Sequence, residues 1–470
     1  MTLFQLAALT AAAMILGRLP RAGRTWGLFG VSLLILFWLQ PATPLRYADF
    51  WLPAVILFIA VLSWMAAQPR AAWHNRENRI AVAVIFMLLL AIGLTRVFNL
   101  NWHLTATRPP GISAIAVAVG SAVVLFAVLP SLLRREKGTL VLSLVLVALF
   151  LILKTDVLAT FAAGLARRLT GQDPALASPI DLNWLGFSYI AFRLLHTLRD
   201  QATGRLPEMN LCEYMTYVFF FPAIMAGPID RAERFLSDLR RESAFQPEET
   251  LEAGKRIVGG ILKKYVLASL LAVFSLNPEL LSRVDSTGWL WILVYAYAFQ
   301  LFLDFSGYTD VAVGIGMLAG VRLPENFDRP YRKQNLTAFW NSWHITLSLW
   351  FRAYFFNPLT RALHRRRRVP TWMIILLGQA GTMMLIGLWH GVTWNYLIWG
   401  AWHAFGLFVH NRWVALVRAQ PAWFPLDQEH ILVRGAGVFI TFQFVSLGWL
   451  WFALTSPALA WETMLRMVGM

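Results

Sequence analysis

From residue 369 to residue 411 the chain runs for 43 residues without a single Lys, Arg, Asp or Glu. About twenty apolar residues in helical form cross a bilayer, so a stretch of this length is compatible with two crossings and little else. It is not isolated. Hydrophobic residues make up 58% of the 470-residue chain and charged residues 14%, well beyond the composition of soluble proteins, where about half the residues are apolar. The chain is therefore expected to be an all-α polytopic membrane protein, because backbone donors and acceptors in lipid must be satisfied within each segment. Apolar runs predict spans near 2–17, 26–42, 50–66, 80–98, 112–131, 139–160, 184–198, 213–226, 256–276, 289–303, 371–388, 394–411 and 435–455.

Cations orient the first half. Arg18, Arg21 and Arg24, then Arg70, Arg76 and Arg79, then Arg134, Arg135 and Lys137 follow the first, third and fifth spans. The intervening loops, around Asp49 and across 101–110, carry one Arg each. Cytoplasmic loops retain positive charge, so the N-terminus is expected outside, with no cationic leader segment before Arg18. The net charge of +16 is scattered over short connections, as anionic inner-leaflet lipid favours, and argues against nucleic acid as a partner. Residues 364–368 form the one dense cationic run. It suits a topology-setting cytoplasmic loop or the attraction of an anionic donor. The lone cysteine, Cys212, excludes an internal disulfide and reads as a small packing residue. No repeat or linker marks a second domain, so residues 1–470 read as one membrane domain.

Chemistry-bearing residues concentrate between 295 and 403. Residues 297–310 read YAFQLFLDFSGYTD, followed by VAVGIGMLAG and then LPENFDRPYRKQN. Asp304 stands in an otherwise uncharged run and needs a partner, catalytic or structural. Ser306, Thr309 and Asp310 read as the cap of a new helix, and Gly314, Gly316 and Gly320 as sites of close helix packing. Residues 336–351, LTAFWNSWHITLSLWF, would form a helix of only about 24 Å, short of the roughly 30 Å hydrocarbon core, so a tilted, re-entrant or interfacial segment is expected. On such a helix His344 shares a face with Trp340, Leu347, Ser348 and Phe351. His390, in LWHG at 388–391, sits inside the uncharged stretch, where an imidazole is costly to desolvate. Its depth depends on whether the preceding helix is straight or kinked, and Gly391 beside it permits a bend and a close approach. His403 reads as a hydrogen-bonded packing residue. Two histidines with no Cys and no HExxH spacing make a poor metal site, so none is expected. They make a better acid and base pair. A neutral imidazole can take the proton from an alcohol attacking a thioester.

Five blocks carry a resemblance: WLGFSYIAF at 184–192, YVFFFPAIMAGPIDR at 217–231, YAFQLFLDFSGYTDVAVGIGMLAGVRLPENFDRPY at 297–331, FWNSWHITLSLWFRAYFFNPL at 339–359 and GLWHGVTWNYLIWGAWH at 387–403. In this order they resemble the membrane-bound O-acyltransferase (MBOAT) family, in its bacterial alginate O-acetylation and D-alanyl transfer branch. The likeness spans about 184–408, while residues 1–180 show none and read as divergent N-terminal helices. Where relatives commonly read RDYLYIPLGGNR, residues 352–361 read RAYFFNPLTR, and the usual WGLxHG is WGAWHA at 399–404.

The resemblance implies an MBOAT-like ring of about 11–14 transmembrane and re-entrant helices around a thin centre with a tunnel. It implies His390 as the catalytic histidine and His344, 46 residues upstream, as its second histidine. Asp304, Asn341, Trp343 and Trp389 are the candidate substrate-binding residues beside them. No bound cofactor is expected. The donor would be acyl-CoA, with acetyl-CoA foremost, or an acyl carrier protein, and the acceptor an exported cell-surface glycan or an extracytoplasmic acyltransferase partner in a bacterial inner membrane. Two other classes fit the residues less well. A transporter or flippase would use the intramembrane His and Asp as a proton relay, but no inverted repeat stands out. A non-catalytic scaffold of a polysaccharide-export complex would need neither histidine.

Overall fold

A computed structural model of the chain describes residues 2–100, 102–132, 135–242, 247–366, 369–420 and 430–470. Arg134 of the third cationic loop, and Arg367 and Arg368 of the 364–368 run, lie outside the described residues. Among the described residues the fold is helical, with one isolated bridge between Phe327 and Trp343 as its single β feature. Six helices among the described residues are long and apolar enough to cross a membrane: Ala48–Ala67, Arg76–Val97, Lys137–Lys154, Thr287–Leu318, Thr371–His390 and Ile431–Ala453. This is an all-α polytopic membrane protein.

The chain forms two compact units, one of residues 1–257 with 312–323, the other of 258–311 with 324–470. In the first, helices Leu3–Gly17 and Arg21–Trp38 precede Ala48–Ala67, and the opening helix is closed by a capping box in which Thr2 and Gln5 bond each other's backbone. The expected span at 139–160 is interrupted at Thr155, which caps a separate helix, Asp156–Leu169. Its buried Arg167 makes a bidentate pair with Asp181, at 2.5 and 2.8 Å. The expected span at 213–226 is instead an eight-residue helix, Leu211–Val218, followed by a tight turn containing Pro222. Its residues are buried in protein on every side, which is why their apolarity mimics a membrane run. Polar groups hold this turn in place: Arg193 donates to the carbonyls of Val218 and Ala223, and the Tyr217 hydroxyl bonds both His196 and the Asp230 carbonyl. Cys212 is buried as expected.

The second unit holds a correction to the reading of 297–310. No helix begins near Asp310; one uninterrupted helix runs from Thr287 to Leu318. Ser306, Thr309 and Asp310 are therefore interior residues, and tertiary pairing replaces the expected cap. A Cβ on Gly307 would stand 2.7 Å from the Gly260 carbonyl oxygen and one on Gly260 2.5 Å from the Gly307 oxygen, so the two backbones touch. Beside that crossing the chain makes a π-helical turn, Leu262–Leu267. It delivers Lys263 to Asp310 at 2.6 Å and Lys264 to Asp304 at 2.5 Å. Both acids thus obtain the partners that an apolar helix demands. Helices Thr371–His390 and Trp394–Ala419 form the hairpin expected of the uncharged stretch. It closes tightly because a Cβ on Gly387 would stand 2.1 Å from the Tyr396 carbonyl oxygen.

Candidate active site

His344 does not lie on a continuous helix. The 336–351 segment breaks into Leu336–Trp340 and Ile345–Phe351, and His344 between them has left-handed backbone angles, φ 43° and ψ 53°. A non-glycine residue there is strained and persists only where its surroundings hold it. They do. The backbone N–H of Asp328 donates to Ser342 and that of Ile345 to Asn326, both at 3.0 Å, clamping 326–328 against 342–345. Asn326, fully buried, accepts through Oδ1 from the Thr346 backbone N–H at 3.1 Å, the Thr346 hydroxyl at 2.8 Å and His344 Nδ1 at 3.2 Å. A backbone N–H can only donate, so the amide orientation is fixed and Nδ1 is the protonated nitrogen of a neutral His344 ring. Nε2 then carries the lone pair.

His390 is the last residue of Thr371–His390, and the chain leaves it through an extended Gly391, φ 178°. Gly391 is not left-handed; its role is the close approach, since a Cβ would meet the Tyr396 ring at 2.8 Å. Four rings surround the half-buried imidazole: Trp389 at 4.5 Å, Phe452 at 4.8 Å, Trp399 at 5.7 Å and Tyr396 at 5.8 Å between ring centres. Aromatic faces attract a cation, so such a cage favours a positive charge at its centre. Asn395 Nδ2 donates to the Leu454 carbonyl at 2.6 Å and ties the walls together.

Trp389 joins the two histidines. Its indole packs 6.1 Å from the His344 ring and 4.5 Å from the His390 ring, which confines the imidazole centres to within about 11 Å of each other.

The other candidates are distributed differently. Trp343 is a core residue, 5.1 Å from Trp449, 5.2 Å from Phe327 and 5.7 Å from Phe339. Asn341 accepts from Arg352 at 2.6 Å and lines a separate cavity of about 220 Å³ with Trp340, Ser348, Gln379 and Met383. Asp304 is engaged by Lys264. His403 is fully buried against Trp399 at 4.8 Å and Trp340 at 5.1 Å, and neither ring nitrogen has a hydrogen-bond partner among the described residues, contrary to the expected hydrogen-bonded role. Sequence reasoning passed over Asn326, whose only signal is an uncharged polar residue inside a resemblance block. Among the described residues no group of three His, Cys, Asp or Glu side chains is placed to hold a metal ion.

A polar cavity of about 870 Å³ opens between the Thr287–Leu318 helix and the 325–332 segment. Asp328 lies on its wall, and the Lys333 ammonium beside it holds its carboxyl below the usual carboxylate range.

Among the described residues an all-helical membrane scaffold gathers two histidines around one indole. Residues 131–448 match the family described as MBOAT, membrane-bound O-acyltransferase family. The chain belongs to that family. It is 35% identical over 291 residues to "Teichoic acid D-alanyltransferase" of Streptococcus thermophilus, a match covering 58% of this chain and 68% of that protein. It is 34% identical over 293 residues to "Probable alginate O-acetylase AlgI" of Azotobacter vinelandii, covering 62% of this chain and 55% of the relative. The Bacillus subtilis "Teichoic acid D-alanyltransferase" is 32% identical over 277 residues, 57% of this chain and 68% of its own length. The chain thus spans about half to two thirds of the curated relatives it matches.

Proposed function

We propose that this protein is a membrane O-acyltransferase moving an acyl group, acetyl foremost, from a cytoplasmic thioester to a hydroxyl of an exported glycan or of an extracytoplasmic partner in a bacterial inner membrane. The observation that supports it best is the sharing of the Trp389 indole by His344 and His390, in a chain whose relatives are named for alginate O-acetylation and teichoic acid D-alanylation.

In this mechanism His390 takes the proton of the acceptor hydroxyl as its oxygen attacks the thioester carbonyl carbon. The tetrahedral intermediate collapses, the carbon–sulfur bond breaks, and the departing thiolate recovers the proton from the imidazolium. Desolvation favours the neutral imidazole that a base requires. His344, its tautomer set by Asn326, orients donor or acceptor through Nε2. The donor is the acyl thioester of coenzyme A or of a carrier protein, and the free thiol is the leaving group. The acyl content of surface glycans in a strain carrying His390→Ala tests the reading: a drop of about a hundredfold or more is expected for a lost general base, and wild-type acylation with normal protein levels would remove it.

A further inference from the structure

We infer that an apolar cavity of about 280 Å³ between helices Ala48–Ala67, Arg76–Val97 and Ile112–Leu132 holds one acyl chain of an anionic phospholipid, with Arg96 and Arg108 binding the phosphate. The cavity lies outside residues 131–448, the segment matched to the family. Its lining is apolar apart from Ser121. A cavity so lined stays dry and takes an apolar guest. Two of its three helices are long and apolar enough to cross a membrane, where the abundant guest is lipid hydrocarbon. Val55 and Leu125 on the rim are exposed, so a chain can enter from the side. The rings of Phe58, Phe126 and Phe86 stack in a row, 4.9 and 6.2 Å between centres, and floor its far end.

Charge selects the lipid. At the near end Ala48–Ala67 and Ile112–Leu132 begin and Arg76–Val97 finishes. The chain there, residues 39–49 and 96–111, carries Arg46, Arg96 and Arg108 against one carboxylate, Asp49. Asp49 is buried and already accepts from the Thr107 backbone N–H at 2.6 Å and hydroxyl at 2.8 Å. Arg46 abuts the loop of Asp173 through Gln172. Arg96 and Arg108 are the surplus. Arg96 donates to the Tyr47 hydroxyl at 3.2 Å and the Pro109 carbonyl at 2.9 Å, and Arg108 to the Arg96 carbonyl at 3.3 Å and Asn99 Oδ1 at 2.8 Å. Neither pairs with a carboxylate among the described residues. Each arginine spends one terminal nitrogen on these bonds, which leaves N–H donors on both guanidiniums for a phosphate. Arg96 stands seven residues beyond the lining residue Leu89, about 10 Å along the helix. A headgroup layer is about 5–8 Å thick, so a phosphate held there lets its chain begin at the cavity. Basic sites between transmembrane helices hold anionic headgroups in this way.

Titration of the full-length protein in mild detergent with dioctanoyl phosphatidylglycerol and with dioctanoyl phosphatidylcholine tests the assignment. The anionic lipid is expected to bind about tenfold or more tightly. Arg96→Gln/Arg108→Gln should bring the two affinities together. Ala118→Phe, which fills the cavity, should weaken both by about tenfold or more at a matched melting temperature. Arg96 also braces its loop, so Arg108→Gln alone decides where the double variant does not fold, and should cut the preference by about threefold or more. Ala118→Leu serves in the same way where Phe is not accommodated. Equal affinities in the wild type, an unchanged preference in the Gln variants, or wild-type binding in the filled variant overturns the assignment. Glycerol 1-phosphate, a phosphate without a chain, and octanoate, a chain ending in a carboxylate, should each bind about tenfold or more weakly than phosphatidylglycerol. Either one matching it overturns the phospholipid. A dimer in mass photometry that the filled variant dissociates would put a second copy of the chain in the cavity and overturn it as well.

Discussion

His344 Nδ1 and Asn326 Oδ1 stand 3.2 Å apart, and the same oxygen holds both the backbone N–H and the hydroxyl of Thr346. One amide oxygen therefore sets the tautomer of a ring and stabilises the strained backbone that carries it.

Asn326→Leu removes the acceptor from three donors at once. Each buried donor left without a partner costs about 1–3 kcal/mol, and loss of an orienting residue costs about tenfold to a hundredfold in activity. Melting temperature and acyl-transfer rate should fall together. A wild-type rate in a destabilised protein would show that the orientation of His344 does not matter to turnover.

The contact between Gly260 and Gly307 leaves no room for a side chain. Gly307→Val is expected to separate the two segments and loosen both Lys263–Asp310 and Lys264–Asp304, at about 1–3 kcal/mol for overpacking. Thermal unfolding in detergent measures it, and an unaltered transition would mean that the backbones do not meet.

Asp304 is half exposed and paired with Lys264 at 2.5 Å, its side chain retaining 51% of its accessible surface. A pair screened to that degree contributes at most about 1 kcal/mol. Asp304→Asn should therefore leave the KM for acceptor unchanged and lower stability only slightly. A raised KM at constant kcat would return Asp304 to the substrate-binding residues.

His403 tests the opposite situation. Its two nitrogens lack partners inside an aromatic cluster, so His403→Phe removes polar atoms that gain nothing from burial and should be neutral or stabilising. Destabilisation by more than about 2 kcal/mol would reveal a partner such as a buried water.

Much of this architecture is legible in the sequence because lipid imposes strict lengths and composition. The hairpin of 371–390 and 394–419 follows from counting charges. One cause of error is that apolarity does not distinguish lipid from protein interior. Residues 213–226 are as apolar as a span, yet their helix, Leu211–Val218, ends at Val218 and is buried in protein. Local pattern also missed long-range pairing. Ser306, Thr309 and Asp310 read as a cap because nothing nearby in sequence announces Lys263, 47 positions away. The left-handed turn at His344 depends on Asn326 across the clamp and has no periodic signature.

The uninterrupted helix Thr287–Leu318 has 32 residues and so measures about 48 Å against a hydrocarbon slab of about 30 Å. Inclination alone would have to exceed the 40° or so reached by transmembrane helices to hide that surplus. One end therefore stands proud of the fatty-acyl zone. Asp304 and Asp310, each paired with a lysine, lie in its latter half, and the enzyme's turnover should respond to lipids of different chain length.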